Sequence, residues 1–212
     1  PVDYPRPGWA EQDPAIWWNA VQDLLKEVVK PFEARARIRV AGVSGQMHGL
    51  VALDHTQRVI RPAMLWCDQR TPAQCDAIIA AAGGPHALLG LTNNGMITGY
   101  TAPKILWLRD HEPKSYARIA TVLLPKDYIR FRLTGDLATD VSDASGTGLF
   151  DAPNRRWSSE LMQLLDLPAA WFPPAHESTA IVGHLSAELT TTLNLPAPLP
   201  VIAGGGDAAL QP

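Results

Sequence analysis

Apolar residues recur at helical spacing after Asp13-Pro14: Ile16, Trp17, Val21, Leu24, Leu25 and Val28. Steps of three and four put them on one face of a helix. Asp13 fits the N-cap and Pro14 the first helical position, so a helix is predicted up to Pro31. The period then changes. Ile38 to Val43 and Gly49 to Leu53 read as strands, with a turn at His55-Thr56-Gln57 and a short strand at Arg58 to Ile60. Thr71-Pro72 starts a second helix, which Gly83-Gly84-Pro85 stops, and a third runs from near Pro103 to Glu112. Val122 to Leu124 is a short strand, Asp127 to Leu133 is helical, and Ser142 to Thr147 has the small polar make-up of a cap and first helical turn. Ser158 to Leu165 is a helix ended by Pro168, Trp171 to Ser178 a proline-rich loop, Leu185 to Leu193 a helix and Pro200 to Ala203 the last strand. Strands alternating with helices give an α/β fold class. The strands are few for the helices, and the chain stops at Gln211-Pro212, just after a strand-turn signal. The pattern therefore predicts sheet partners outside these residues, at both ends.

Composition narrows the function. The 212 residues are 46% hydrophobic and 18% charged, as in a globular rather than a disordered chain. Net charge is -3, and the alternating Arg35, Arg37 and Arg39 beside Glu33 read as the solvent side of a strand entrance. No nucleic-acid partner is expected from that. No apolar stretch approaches a membrane span in length. Cys67 and Cys75 match no zinc spacing and make no disulfide framework, so a cytoplasmic location is expected. The six histidines form no metal pattern, and no metal site is expected on these residues. The phosphate-binding loop of P-loop nucleotidases, the Gly-x-Gly-x-x-Gly fingerprint and the Gly-x-Ser-x-Gly elbow are all missing from the sequence.

Four segments could carry chemistry. Val201-Ile202-Ala203-Gly204-Gly205-Gly206-Asp207 is a short apolar run, a glycine turn and an acid. Asp207 there is either a solvated turn residue or a carboxylate set to take a proton from a bound hydroxyl. Ser44-Gly45-Gln46-Met47-His48-Gly49 frames Met47 and His48 with glycines. It is either a hairpin with an exposed histidine or a ligand-facing pair. In Leu65-Trp66-Cys67-Asp68-Gln69-Arg70-Thr71, Trp66 could stack on a sugar face and Asp68 could bind hydroxyls. The alternative puts Trp66 in the core and pairs Asp68 with Arg70. Gly99 to His111 opens the third helix with Thr101 as a natural N-cap and Lys104 in the first turn, where the macrodipole disfavours a cation. That conflict points to a tertiary or functional reason for the lysine.

Taken in order, these segments resemble the FGGY carbohydrate kinases, and within them the D-xylulose kinase branch. The resemblance runs through Pro7 to Pro14, Ser44 to Gly49, Leu65 to Arg70, the signature Gly99 to His111, Leu124-Pro125-Lys126-Asp127-Tyr128, Thr134-Gly135, Asp140 to Thr147 and Gly204 to Asp207. It implies an actin-like, ribonuclease-H-like lobe: residues 1–203 as a sugar-binding N-terminal lobe lacking its first strands, and residues 204–212 as the start of the hinge and second lobe. It implies ATP-dependent phosphorylation of a ketopentose, most specifically D-xylulose to D-xylulose 5-phosphate; ribulose, gluconate or glycerol remain alternatives, as does a lobe that binds sugar without catalysis. Asp207 is implied as general base, with Met47, His48, Trp66, Asp68 and Gly99 around the sugar and Gly205 and Gly206 toward the nucleotide. Glycerol-specific relatives carry a substrate-facing tyrosine at the place of Gly99, so the glycine leaves room for a larger sugar. ATP and Mg2+ are the implied cofactors, most of their site lying outside this chain, and a homodimer is an implied assembly. Closer relatives carry Asn after the acid, where this chain has Ala208.

Overall fold

The computed structural model describes residues 1–29, 31, 33 and 37–210. Arg35 and Gln211-Pro212, noted above, lie outside the described residues. In chain order the elements are β1 (Glu11–Gln12), α1 (Pro14–Val28), β2 (Ser44–Gly45), β3 (Val51–Leu53), β4 (Ala63–Met64), α2 (Pro72–Ala81), α3 (Pro85–Thr92), α4 (Thr101–His111), α5 (Pro113–Tyr116), β5 (Thr121–Leu123) and α6 (Pro125–Thr134). Then follow β6 (Thr139–Asp140), α7 (Val141–Ser145), β7 (Phe150–Asp151), β8 (Arg156–Trp157), α8 (Ser159–Leu164), β9 (Ala175–His176), β10 (Ile181–His184), α9 (Ala187–Thr192), β11 (Pro200–Ile202), β12 (Gly205–Gly206) and α10 (Asp207–Leu210).

α1, α8 and α9 begin at a side-chain cap. Asp13 accepts a hydrogen bond from the Ala15 amide at 2.9 Å, and Ser158 and Ser186 cap α8 and α9 in the same way through Leu161 and Leu189. α4 departs from the expected cap. It starts at Thr101 with Tyr100 in the cap position and no side-chain cap bond, because the Thr101 hydroxyl is turned to the His48 carbonyl instead. Gly83-Gly84-Pro85 ends α2 as expected, but Pro85 also starts α3, which the pattern did not reveal.

The predicted strand from Ile38 to Val43 is reduced to a single parallel bridge between Ala41 and Val201, and regular pairing resumes only at β2. The one over Arg58 to Ile60 is likewise a single bridge, Val59 to Leu53. The expected loop from Trp171 to Ser178 contains β9, paired in parallel with β6.

Two pairings matter for function. Residues 41–45 run parallel to 201–206, with β10 antiparallel on the far side of β11. β3 pairs with β5 and divides the core. Leu50 and Ala52 face one apolar cluster with Ile78, Ile105 and Leu108, while Val51 and Leu53 face another with Trp18, Leu123 and Tyr128. The period of two in a strand buried on both sides produces that division. Each such side chain contributes roughly 1.5–3 kcal/mol on leaving water. Among the described residues no single helix is long and apolar enough to cross a membrane.

Candidate active site

The turn carrying Asp207 is set by its glycines. Gly204 has φ +79°, and a Cβ there would run into the Val43 carbonyl, so only glycine closes the turn. β12 then pairs with β2, and Asp207 opens α10 beside the end of β2, partly buried, accepting a hydrogen bond from the Ala208 amide at 2.9 Å. The Gly205 amide points to the Val43 carbonyl at 3.3 Å, and the Gly206 amide donates to Ser142 Oγ at 3.1 Å. Both N–H groups expected to face the nucleotide are thus engaged within the chain.

Across from this turn, the link from β2 to β3 carries Met47 and His48. His48 takes φ +64°, unusual for a residue with a side chain. Two donors hold its carbonyl: Lys104 Nζ at 3.0 Å and Thr101 Oγ1 at 3.1 Å. Lys104 also donates to the Gly99 carbonyl at 2.6 Å. The lysine that looked misplaced in the first turn of α4 therefore ties the His48 link to the Gly99 turn. Burial drives its pKa down to about 7, with Asp68 and Cys67 opposing the shift. The His48 ring packs edge-on against Tyr100 at 4.9 Å and lies over Gly146, where a Cβ would collide with it. Burial and the neighbouring Lys104 hold its pKa below the usual histidine range, so at neutral pH it is an uncharged donor and acceptor.

Behind the Asp207 turn lies a buried charge network. Lys126 Nζ contacts Asp127 at 2.6 Å and Asp140 at 2.9 Å. Asp140 caps α7 and accepts hydrogen bonds from Ser142 Oγ and from Ser178 Oγ at 2.9 Å. Ser142 Oγ in turn accepts from the Gly206 amide. A continuous path thus runs from Lys126 through Asp140 and Ser142 to the backbone immediately before Asp207. Asp140 is kept ionised: burial pushes its pKa up, but Lys126 and Ser142 outweigh that and lower it.

These pieces enclose a cavity of about 380 Å³ lined by Met47, His48, Tyr100, Asp143, Gly206 and Ala208, among others. Asp207 lies between the last two in the chain; it is not itself a lining residue, but it is within electrostatic reach of His48 and Asp143. A larger hollow of about 630 Å³ near Arg58 and Arg132 contains none of the candidate catalytic, sugar-facing or nucleotide-facing residues.

Of the expected sugar-facing residues, Met47 and His48 line the cavity. Gly99 is buried one residue before the lining Tyr100; a Cβ there would stand 2.8 Å from the Trp66 carbonyl, which is a local packing reason for glycine. Trp66 is 54% exposed and outside the lining. Asp68 is fully buried and does not line the cavity either. Its Oδ2 accepts from the Ala10 amide at 2.7 Å and its carboxylate is forked by Arg70, so it forms the ion pair that was the alternative reading. Arg70 also reaches Glu11 at 2.7 Å and stacks on Trp9 at 3.8 Å. Tyr100 and Asp143 were not singled out from the sequence. Asp143 stood only within the Asp140 to Thr147 segment that carries the resemblance, and as part of a polar run after Asp140 it reads equally well as a plain helix cap.

Among the described residues no three His, Cys, Asp or Glu side chains converge to hold a metal ion.

A family model described as "FGGY family of carbohydrate kinases, N-terminal domain" matches residues 1–211. The chain is 42% identical over 208 residues to the xylulose kinase of Escherichia coli (strain K12), covering 98% of this chain and 42% of that protein. A crystal structure of a "xyloylose kinase" from Brucella ovis superposes with a TM-score of 0.93 at 39% identity, covering 99% of this chain and 43% of the other. The xylulose kinase from Rhodospirillum rubrum superposes at 0.91 with 32% identity, covering 98% and 43%. The expected α/β, actin-like and ribonuclease-H-like lobe is thus the observed one. The chain spans about two fifths of the length of the curated relatives it matches.

Proposed function

The chain belongs to the FGGY family of carbohydrate kinases, and from that membership we propose that the full-length protein transfers the γ-phosphate of ATP to the terminal (C5) hydroxyl of D-xylulose. One observation carries the reading: a single cavity is shared by Met47, His48 and the glycine turn that presents Asp207. Residues 1–203 act as the sugar-binding lobe, and residues 204–212 lead toward the second.

Phosphoryl transfer to an alcohol is mostly positioning and charge neutralisation. Asp207 orients the attacking hydroxyl and accepts its proton as the bond to phosphorus forms. A carboxylate is a weak base toward an alcohol. It suffices because a loose transition state makes the hydroxyl acidic only late in the transfer. The neutral His48 fixes a second sugar hydroxyl, and Met47 covers the carbon chain. Lys104 keeps the His48 link and the Gly99 turn at fixed separation, while the Lys126–Asp140–Ser142 path keeps the Asp207 turn in register. Trp66, exposed near Gly99, is available to stack on the sugar. Asp68 is left out, because Arg70 and the Ala10 amide occupy its oxygens.

The test is phosphorylation of a sugar panel by the full-length protein with ATP. The expected result is the highest kcat/KM with D-xylulose. Preference for ribulose, gluconate or glycerol would move the substrate, and failure to phosphorylate any of them would overturn the reading.

A further inference from the structure

Asp143 is 2% exposed, lines the 380 Å³ cavity, and neither of its carboxylate oxygens has a hydrogen-bond partner among the described residues. Native proteins rarely leave a buried carboxylate unsatisfied, because the uncompensated desolvation is costly. The neighbours that could have satisfied it are committed elsewhere. Lys126 Nζ lies on Asp127 and Asp140, and the Ser142 hydroxyl is given to Asp140. The backbone at Asp143 is held in place. The Asp143 amide faces Asp140, the Asp143 carbonyl accepts from the Gly146 amide at 3.0 Å, and Gly206 lies in van der Waals reach, where a Cβ would sit 3.5 Å from Asp143 Cα.

Building on the sugar-kinase reading above, we propose that Asp143 is a further substrate-binding residue that hydrogen-bonds a secondary hydroxyl of the sugar, next to the terminal hydroxyl held by Asp207. The missing partner must be able to hydrogen-bond a carboxyl group, and a negative charge on it is disfavoured, because Asp127, Asp140 and Asp207 already surround the site with carboxylates. A neutral polyol meets both conditions and a sugar acid does not. Burial, followed by those three carboxylates and opposed by Lys126, holds the Asp143 pKa well above the usual range. A carboxyl carrying a proton both donates to and accepts from a hydroxyl, which suits a polyol.

The experiment measures binding of D-xylulose and its 3-deoxy and 4-deoxy forms to the full-length protein by calorimetry, for the wild type, Asp143→Ala and Asp143→Asn. In the wild type one deoxy form binds about tenfold more weakly than the parent, the worth of roughly one such hydrogen bond. In Asp143→Ala the parent weakens by about tenfold and the deoxy penalty vanishes; Asp143→Asn, which still donates and accepts, keeps part of it. Both outcomes support the assignment. Unchanged affinity in Asp143→Ala, or a deoxy penalty that survives in both variants, overturns it while leaving the kinase reading intact. A wild type that binds no sugar overturns both.

Discussion

Lys104 and Lys126 occupy the same place in two helices. Each sits in the first turn, Lys104 in α4 and Lys126 in α6, each is buried, and each stands where the helix macrodipole disfavours a cation. Their partners differ. Lys126 is surrounded by Asp127, Asp143 and Asp140; burial pulls its pKa down, yet the carboxylates win and raise it. Lys104 donates to two backbone carbonyls, and burial wins, driving it down to about 7. Each anchors one wall of the same cavity. The wall with Asp207 is braced by full charges, and the wall with His48 by dipoles and a lysine that sheds its proton near neutrality. A charge network resists any change of partner, whereas carbonyl contacts accept either form of the amine, since both retain N–H donors.

The sharpest break of this comparison is Lys126→Met. It leaves Asp140 buried without its ion-pair partner and Asp127 with only Arg130 at 4.0 Å, and is expected to cost about 3–5 kcal/mol in denaturant unfolding. A loss as small as that of the Lys104 variant would mean the two anchors do not differ. Lys104→Met is expected to cost about 1–2 kcal/mol, the worth of its hydrogen bonds to carbonyls. It also has a pH signature. Between about 7 and 10.5 the unfolded chain keeps a lysine proton that the folded chain has released, so folding stability rises with pH. The advantage of wild type over Lys104→Met should therefore grow as pH is raised from 7 to 10, and a flat difference in melting temperature would contradict the lowered pKa.

The smallest effect has the opposite sign. In the sugar-free protein Asp143 keeps a proton that the unfolded chain loses above its ordinary pKa, so its contribution to stability is fully present at low pH and declines as pH rises. Asp143→Asn removes that decline. Its melting temperature should exceed that of wild type at pH 7 and match it near pH 4. Lys126, Asp127, Asp140 and Asp207, which face the group, are the same in both proteins.

Elements defined by their own residues were legible in the sequence. α1, α2, α6, α8 and α9 follow from apolar spacing and from caps or prolines at their first positions. β1, β4, β6 and β9 are two residues long, and nothing local sets them; their partners are 36 to 53 positions away in the chain, so pairing is a tertiary fact. The same division holds at the site. The glycine turn before Asp207 was legible because Gly204 needs a conformation only glycine adopts easily. Lys104 was legible as a local conflict, now resolved by the His48 and Gly99 carbonyls. Asp143 was not, since nothing in a polar run after a cap tells which acid ends up without a partner.

In the proposed reaction Asp207, at the edge of the cavity, acts on the hydroxyl that the lining residues position. The most direct test is steady-state kinetics of full-length Asp207→Asn with D-xylulose and ATP, alongside sugar binding by calorimetry. The account predicts that kcat falls by roughly 10²–10⁴-fold while the affinity for D-xylulose stays within a few fold of wild type. Turnover near the wild-type level would contradict it.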